Sequence, residues 1–188
     1  INEYIKKHQA VPRKIWGFDS FSGLPLEEKD IPIIKEWSPG EYNSQAVLNT
    51  TGVQDSIDQI MRSSNSPCPC EMIPGFFADS LTPSLKSEKD MRPACFIDVD
   101  VDLYISTIQL FDFIITNDLL APTTIVNFDD WGGVEEYAGG ESKAFKEIVE
   151  KYNLSYKELY GTNPDRVADP YGVVHVKKVF AIKQNKDQ

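Results

Sequence analysis

The apolar run Thr124-Ile125-Val126-Asn127-Phe128 ends in two adjacent aspartates, Asp129 and Asp130. A similar run, Ala94-Cys95-Phe96-Ile97, leads into Asp98, Asp100 and Asp102. Short runs of this composition read as strands, which puts both acidic groups at strand ends. Neighbouring carboxylates repel one another, and the local pattern supplies no basic partner. A hard divalent cation relieves that repulsion, because Mg²⁺ takes oxygen ligands and is commonly held by only a few carboxylates. The residue types therefore point to a metal-assisted active site. Cysteine and histidine offer no rival centre: Cys68-Pro69-Cys70 lacks the second pair or spaced histidines of a zinc site, and His8 and His175 lie far away in the chain.

The elements that must position these acids alternate in type. Residues 1–10 read as the end of a helix with basic residues in its last turn. Arg13 to Phe18 reads as a short strand ending at Asp19, followed by a turn at Ser22-Gly23-Leu24-Pro25. Residues 26–43 carry prolines, glycines and many charges, the pattern of a long surface loop or lid. Ser44 to Ser63 reads as one or two helices whose apolar stripe includes Val47, Leu48, Val53, Ile57, Ile60 and Met61. Cys70 to Pro74 is a short strand running into Gly75-Phe76-Phe77-Ala78-Asp79-Ser80-Leu81. Strands at 94–101 and 123–128 alternate with helices at Tyr104–Leu120 and 141–152, and two final strands, 156–160 and 173–183, have no helix between them.

This alternation implies an α/β fold, a Rossmann-like sheet that is mostly parallel with an antiparallel C-terminal strand pair. Open α/β sheets bind ligands beyond the carboxyl ends of their strands. Asp19, Asp79, Asp100, Asp102, Asp129 and Asp130 all fall at or just past such ends. At 188 residues the chain suits a single domain, 1–188. A net charge of −10 argues against nucleic acid or anionic membrane as the main partner. No apolar run reaches the ~20 residues of a membrane span, and the chain does not open on a signal-peptide pattern. Three cysteines fit a reducing compartment, hence a cytoplasmic protein with a small-molecule partner; homo-oligomerisation stays open.

Four segments in order resemble one family. Phe18-Asp19-Ser20-Phe21-Ser22-Gly23-Leu24-Pro25 is similar to its FDSFxGLP signature, and Gly75 to Leu81 to its GxFxD[ST]L segment. Asp100-Val101-Asp102-Leu103-Tyr104-Ile105-Ser106-Thr107 is similar to DxDLYxST, and Asp129-Asp130-Trp131-Gly132 to DDYG. Each is weak alone; the ordered set, spanning about Arg13 to Tyr152, resembles the macrocin O-methyltransferases, class I S-adenosylmethionine enzymes that methylate sugar hydroxyls of natural products. The resemblance implies that Asp19, with Ser20 beside it, takes the ribose hydroxyls of S-adenosylmethionine. It implies that Gly75, Phe76 and Phe77 contact the adenine, with Asp79 accepting from its amino group. It further implies that Asp100, Asp129 and Asp130 hold Mg²⁺ against two adjacent sugar oxygens, with Asp100 or a neighbour as general base.

The chain also departs from the family. The glycine-rich ExGxxxG loop is absent from these residues, and its place is expected upstream of Ile1, in a longer gene product. In the family's strand order 3-2-1-4-5-7-6, a missing first strand leaves a gap between strands two and four. Ile105 stands where the family often has Glu, and Pro122-Thr123 replaces a Gly-Gly.

Blander readings compete residue by residue. Asp19 suits a helix N-cap or a turn, and Asp102 suits either the N-cap of the following helix or a substrate or metal contact. Asp98 suits a buried acid with a basic partner. Phe76 and Phe77, and likewise Tyr104 and Trp131, suit core packing, while Lys143 and Lys146 suit a solvated helix face. At the level of function, Asp98-Val99-Asp100 also satisfies the DxD pattern of metal-dependent glycosyltransferases, and a binding module that lost its cofactor is the third alternative.

Overall fold

Ile15–Asp19 forms strand β1, and Cys70–Pro74 forms β2; the two pair in parallel with Asp19 opposite Pro74. A parallel pair needs a crossover, and the intervening chain supplies two helices, α1 (Ser44–Leu48) and α2 (Val53–Ser63). Asn43 caps α1, its Oδ1 accepting from the N–H groups of Gln45 at 2.9 Å and Ala46 at 3.3 Å. Asn49 closes the helix in the left-handed region at φ +53°. That break resets the helical phase, so Val47, expected on a shared apolar stripe, is instead 77 % exposed. A short helix α3 (Phe77–Ser80) follows β2.

The remaining elements build a four-stranded sheet from β3 (Ala94–Val99), β4 (Leu120–Phe128), β5 (Leu154–Gly161) and β6 (Lys178–Gln184), in the order β3-β4-β6-β5. β3 and β4 are parallel, and β6 runs antiparallel to both β4 and β5. Helix α4 (Leu85–Glu88) precedes β3, α5 (Tyr104–Thr116) joins β3 to β4, and α6 (Gly140–Lys151) follows β4. Val99, Val126, Phe128 and Ile182 from the strands and Phe111, Phe145 and Ile148 from the helices are fully buried. The ring of Phe145 lies against Phe180 at 5.0 Å and against Phe128 at 5.1 Å, so an aromatic cluster locks α6 to the sheet.

Pro122 does not end β4, which starts at Leu120. The pairing with β3 jumps from Ala94 opposite Leu120 to Phe96 opposite Ile125, a bulge that accommodates a residue without an N–H. Thr124, fully buried, ties the irregularity together: its hydroxyl donates to the Ala94 carbonyl at 2.8 Å and accepts from the Ala121 N–H at 3.0 Å.

The computed structural model describes residues 13–64, 66, 68–131, 140–161 and 177–185. They divide into two compact units, Ile1–Leu24 with Gly40–Ser80 and Pro25–Pro39 with Leu81–Gln188. The expected helix at 1–10, the first residues of the last strand, and both histidines lie outside the described residues. The strand orders β2-β1 and β3-β4-β6-β5 correspond to the 3-2 and 4-5-7-6 portions of the expected sheet, so the α/β class and the antiparallel C-terminal pair both hold. The stretch expected as a surface loop is partly interior: it carries a 3₁₀ turn at Lys35–Trp37, and Trp37 and Glu27 are buried. No helix among the described residues is long and apolar enough to cross a membrane.

Candidate active site

In the first unit, the end of β1 is shaped by a tight turn. Asp19 Oδ1 accepts from the Phe21 N–H at 2.5 Å, and the Ser20 hydroxyl donates to the Gly23 carbonyl at 2.7 Å while accepting from the Ser22 N–H at 3.0 Å. Phe21, at φ +58°, is fully buried beneath this turn. Gly23 has no substitute here: its φ is +88°, and a Cβ would fall 2.5 Å from the carbonyl oxygens of Gly40 and Glu41. Leu24 donates to Glu41 and Gly40 to Leu24, both at 2.9 Å, which stitches the turn to the start of the helical crossover.

The second cofactor-type segment joins the first through the backbone. The Gly75 N–H donates to the Asp19 carbonyl at 2.9 Å, and Gly75 itself sits at φ +122°. Phe76 and Phe77 are half-buried, and Asp79 is exposed on α3. Asp19, Ser20, Gly75, Phe76, Phe77 and Asp79 thus come from the ends of two paired strands. The turn reading of Asp19 is correct as far as Oδ1 goes; the hydrogen bond to Phe21 engages that oxygen, not Oδ2.

In the second unit, the parallel ladder itself delivers the acids. Asp100 follows β3 and Asp129 follows β4, and the Asp129 N–H donates to the Val99 carbonyl at 3.0 Å, carrying the pairing one step past the strand ends. One carboxylate oxygen from each of Asp100, Asp129 and Asp130 lies within 4.8 Å of the others. Asp100 is exposed, Asp129 half-buried and Asp130 buried. Desolvation of the Asp100 carboxyl pushes its pKa up, and the charges of Asp129, Asp130 and Asp98 push it further, while Lys177 pulls it down. Lys177, just before β6, is the cation the local sequence did not supply: its ammonium pairs with Asp129, and that contact raises the lysine's own pKa.

Two further acids complete this region, and neither carries a local sequence signal. Glu141, in the first turn of α6, is fully buried, with Oε1 accepting from the Val101 N–H at 3.1 Å and Oε2 from the Asp130 N–H at 3.2 Å. Burial holds its pKa well above the usual carboxylate range, with Asp130 and Asp102 adding to the rise and the two N–H groups opposing it. An acid in a first helical turn ordinarily reads as a match for the helix dipole. Glu27, in the charged loop, accepts from the Tyr104 N–H at 2.7 Å and the Ile105 N–H at 3.0 Å. It therefore caps α5 from 77 residues away.

That contact corrects one alternative: Asp102 does not cap α5. The N-cap position is Leu103, without a side-chain cap, and Asp102 sits at φ +57° in the turn before it. Asp98 is also not a buried acid with a basic partner; it is exposed and accepts from the Asn127 amide at 2.6 Å. It stands outside the three-aspartate cluster, which removes the first half of the DxD reading. Trp131 packs against Phe180 at 4.7 Å and Phe128 at 5.1 Å, so packing accounts for it. The Tyr104 hydroxyl donates to Glu147 at 2.5 Å, and Lys143 lies over its ring while pairing with the same glutamate. Among the described residues, the three aspartates are the cluster able to hold a metal ion, and the cysteines are free thiols that do not join it.

The donor set fits Mg²⁺: three hard carboxylate oxygens lie within 4.8 Å of one another, and a divalent cation suits closely spaced carboxylates. The fold and the acid-lined strand ends define a class I methyltransferase architecture. The macrocin-O-methyltransferase (TylF) family matches residues 1–151, and the chain belongs to that family. Among solved structures, the O-methyltransferase NovP is similar over 97 % of this chain and 64 % of its own, at 17 % identity and a TM-score of 0.58. CalS11, a TDP-rhamnose 3'-O-methyltransferase of calicheamicin biosynthesis, is similar over 93 % of this chain and 60 % of its own, at 19 % identity and a TM-score of 0.47. The chain therefore spans less than two thirds of the length of either structure. Comparison with curated proteins gives no match.

Proposed function

We propose that the chain acts, as one domain, as an S-adenosylmethionine- and Mg²⁺-dependent O-methyltransferase on a hydroxyl of a sugar or another vicinal diol of a natural product. One observation carries the metal part of this reading: in a chain of this family, three carboxylate oxygens meet within 4.8 Å at the carboxyl ends of two parallel strands. Asp100, Asp129 and Asp130 are the residues that would hold Mg²⁺. When bound, the ion supplies Lewis acidity that lowers the pKa of an acceptor hydroxyl.

The chain's own residues do the rest. Asp19 takes ribose hydroxyls, which a carboxylate accepts well, with Ser20 fixing the turn that presents it. Gly75 lets the backbone approach the adenine without a side chain, Phe76 and Phe77 offer ring faces, and Asp79 accepts from the amino group. Asp100, or a neighbouring acid, receives the proton of the acceptor hydroxyl as general base. The hydroxyl oxygen forms the new bond to the methyl carbon as the carbon–sulfur bond breaks, so positioning of the two partners governs the rate.

Calorimetric titration of the full-length protein with S-adenosylhomocysteine should give micromolar binding, and a UDP-sugar should give none. Transfer of labelled methyl to diol-bearing sugars should require Mg²⁺ and stop with chelator. Binding of a UDP-sugar without binding of S-adenosylhomocysteine would sink the methyltransferase reading and restore the glycosyltransferase one.

A further inference from the structure

The second unit contains one fully buried carboxylate that the proposed reaction leaves without a task. Glu141 reaches from the first turn of α6 to the backbone of two separate loops, and it uses a different oxygen for each. The N–H groups it accepts from belong to Val101, the residue after Asp100, and to Asp130 itself. The Glu141 carboxyl sets one accepting oxygen on each of the two loops, where an amide side chain offers a single acceptor oxygen. Each of those loops carries a member of the three-aspartate cluster, so the two bonds fix the backbone that presents the acids. We infer that Glu141 is the positioning residue of the metal site, holding the backbone at 100–101 and at 129–130 in one geometry so that Asp100 and Asp130 converge. The inference rests on the metal reading above and assigns a new residue to it.

Carboxylates one step removed from a metal typically change its affinity 10–100-fold when altered. Glu141→Gln keeps the side-chain shape and presents one acceptor oxygen in place of two. Mn²⁺ serves as the probe for the full-length protein, with affinity and the line shape of the bound ion read by electron paramagnetic resonance. Wild type should bind one Mn²⁺ with a structured spectrum, and the Asp129→Asn/Asp130→Asn double variant should not. Glu141→Gln should bind about tenfold or more weakly with a broadened spectrum, while its urea unfolding midpoint does not fall. A residue of merely structural importance would lower the midpoint and leave the affinity and line shape of the folded protein alone, and that result overturns the inference.

A second measurement needs no variant. Coupling is reciprocal, so adding Mg²⁺ to the wild type should slow hydrogen exchange at the Val101 and Asp130 amides. Unchanged exchange at both, in protein that binds the ion, also overturns the role of Glu141. Failure of the wild type to bind Mn²⁺ at all removes the metal site itself, and the inference with it, and is distinguished from the other failures by that first titration.

Discussion

The two units place their motif residues by different means. Around Asp19 and Gly75, position is set by local backbone conformation: positive φ at Phe21, Gly23 and Gly75, turn hydrogen bonds over the five residues Asp19 to Gly23, and one N–H to carbonyl bond joining the two motifs. Around Asp100, Asp129 and Asp130, the parallel ladder brings the acids together and side chains from distant positions support them, with Lys177 on Asp129, Glu141 bonded to two loops and Glu27 at the head of α5. The first kind of site should fail through backbone strain. The second should fail through electrostatics, with the fold left standing.

The largest effect tests the second kind. Replacing Asp129 and Asp130 together with alanine should lower Mg²⁺-dependent methyl transfer by at least about a hundredfold, since a catalytic metal contributes several kcal/mol. Binding of S-adenosylhomocysteine should stay close to wild type. Undiminished turnover in that variant would end the metal mechanism, and loss of both properties would blur the contrast between the units.

Gly23→Ala probes the first kind. A Cβ 2.5 Å from two carbonyl oxygens at φ +88° forces the turn to shift, at roughly 1–3 kcal/mol for strained backbone. The urea midpoint should drop accordingly while Mn²⁺ affinity holds. A variant as stable as wild type would mean that the turn is not the constraint described.

Glu27→Ala should have a smaller effect. Loss of a helix cap costs about 1 kcal/mol, and the amides of Tyr104 and Ile105 should exchange faster with solvent while the rest of α5 is unaffected. Equal protection of those two amides in both proteins would assign the cap elsewhere.

The smallest effect lies on the outer face of the second unit. Lys151 donates to both oxygens of Asp112, at 2.9 and 3.0 Å, and the Tyr152 hydroxyl joins them at 2.8 Å. The hydrogen bond to Asp112 raises the pKa of Lys151 above its ordinary value. A raised lysine pKa contributes stability that is complete below the unfolded value near pH ~10.4 and is lost as pH rises through the folded value. Wild type and Lys151→Met should therefore differ slightly at neutral pH, as surface pairs do, and converge in strong alkali. A difference that persists there would point to lost packing of the lysine stem.

Much of the first site could be read along the chain, because turns are local. Phe18 to Pro25 carries the turn chemistry in its own residues, and Gly75 marks the second bend. The strands that end in Asp100 and Asp129 were also legible, since apolar runs terminating in polar residues define strand ends without tertiary information. The helix boundary at Asn49, which leaves Val47 in solvent, was less so: one stripe can be drawn through 44–63 if the break is ignored. Pro122, where the family has a Gly-Gly, lies inside β4, and the two hydrogen bonds of the buried Thr124 hydroxyl let the strand run through it. Of the two readings open for Asp102, proximity favours the cap of α5, whereas a glutamate 77 residues upstream reaches those amides.

The sequence by itself determined the ordered motifs, the acids at strand ends, and the alternation that makes an α/β sheet with an antiparallel final pair. These follow from local propensity and periodicity, which act between near neighbours. Only the tertiary structure decided that three aspartates share a space of 4.8 Å, that Asp98 stays outside it, and that Lys177, Glu141 and Glu27 support it. The physical reason is that charge and burial depend on distance through space, and a parallel strand pair brings together residues whose separation along the chain gives no sign of it.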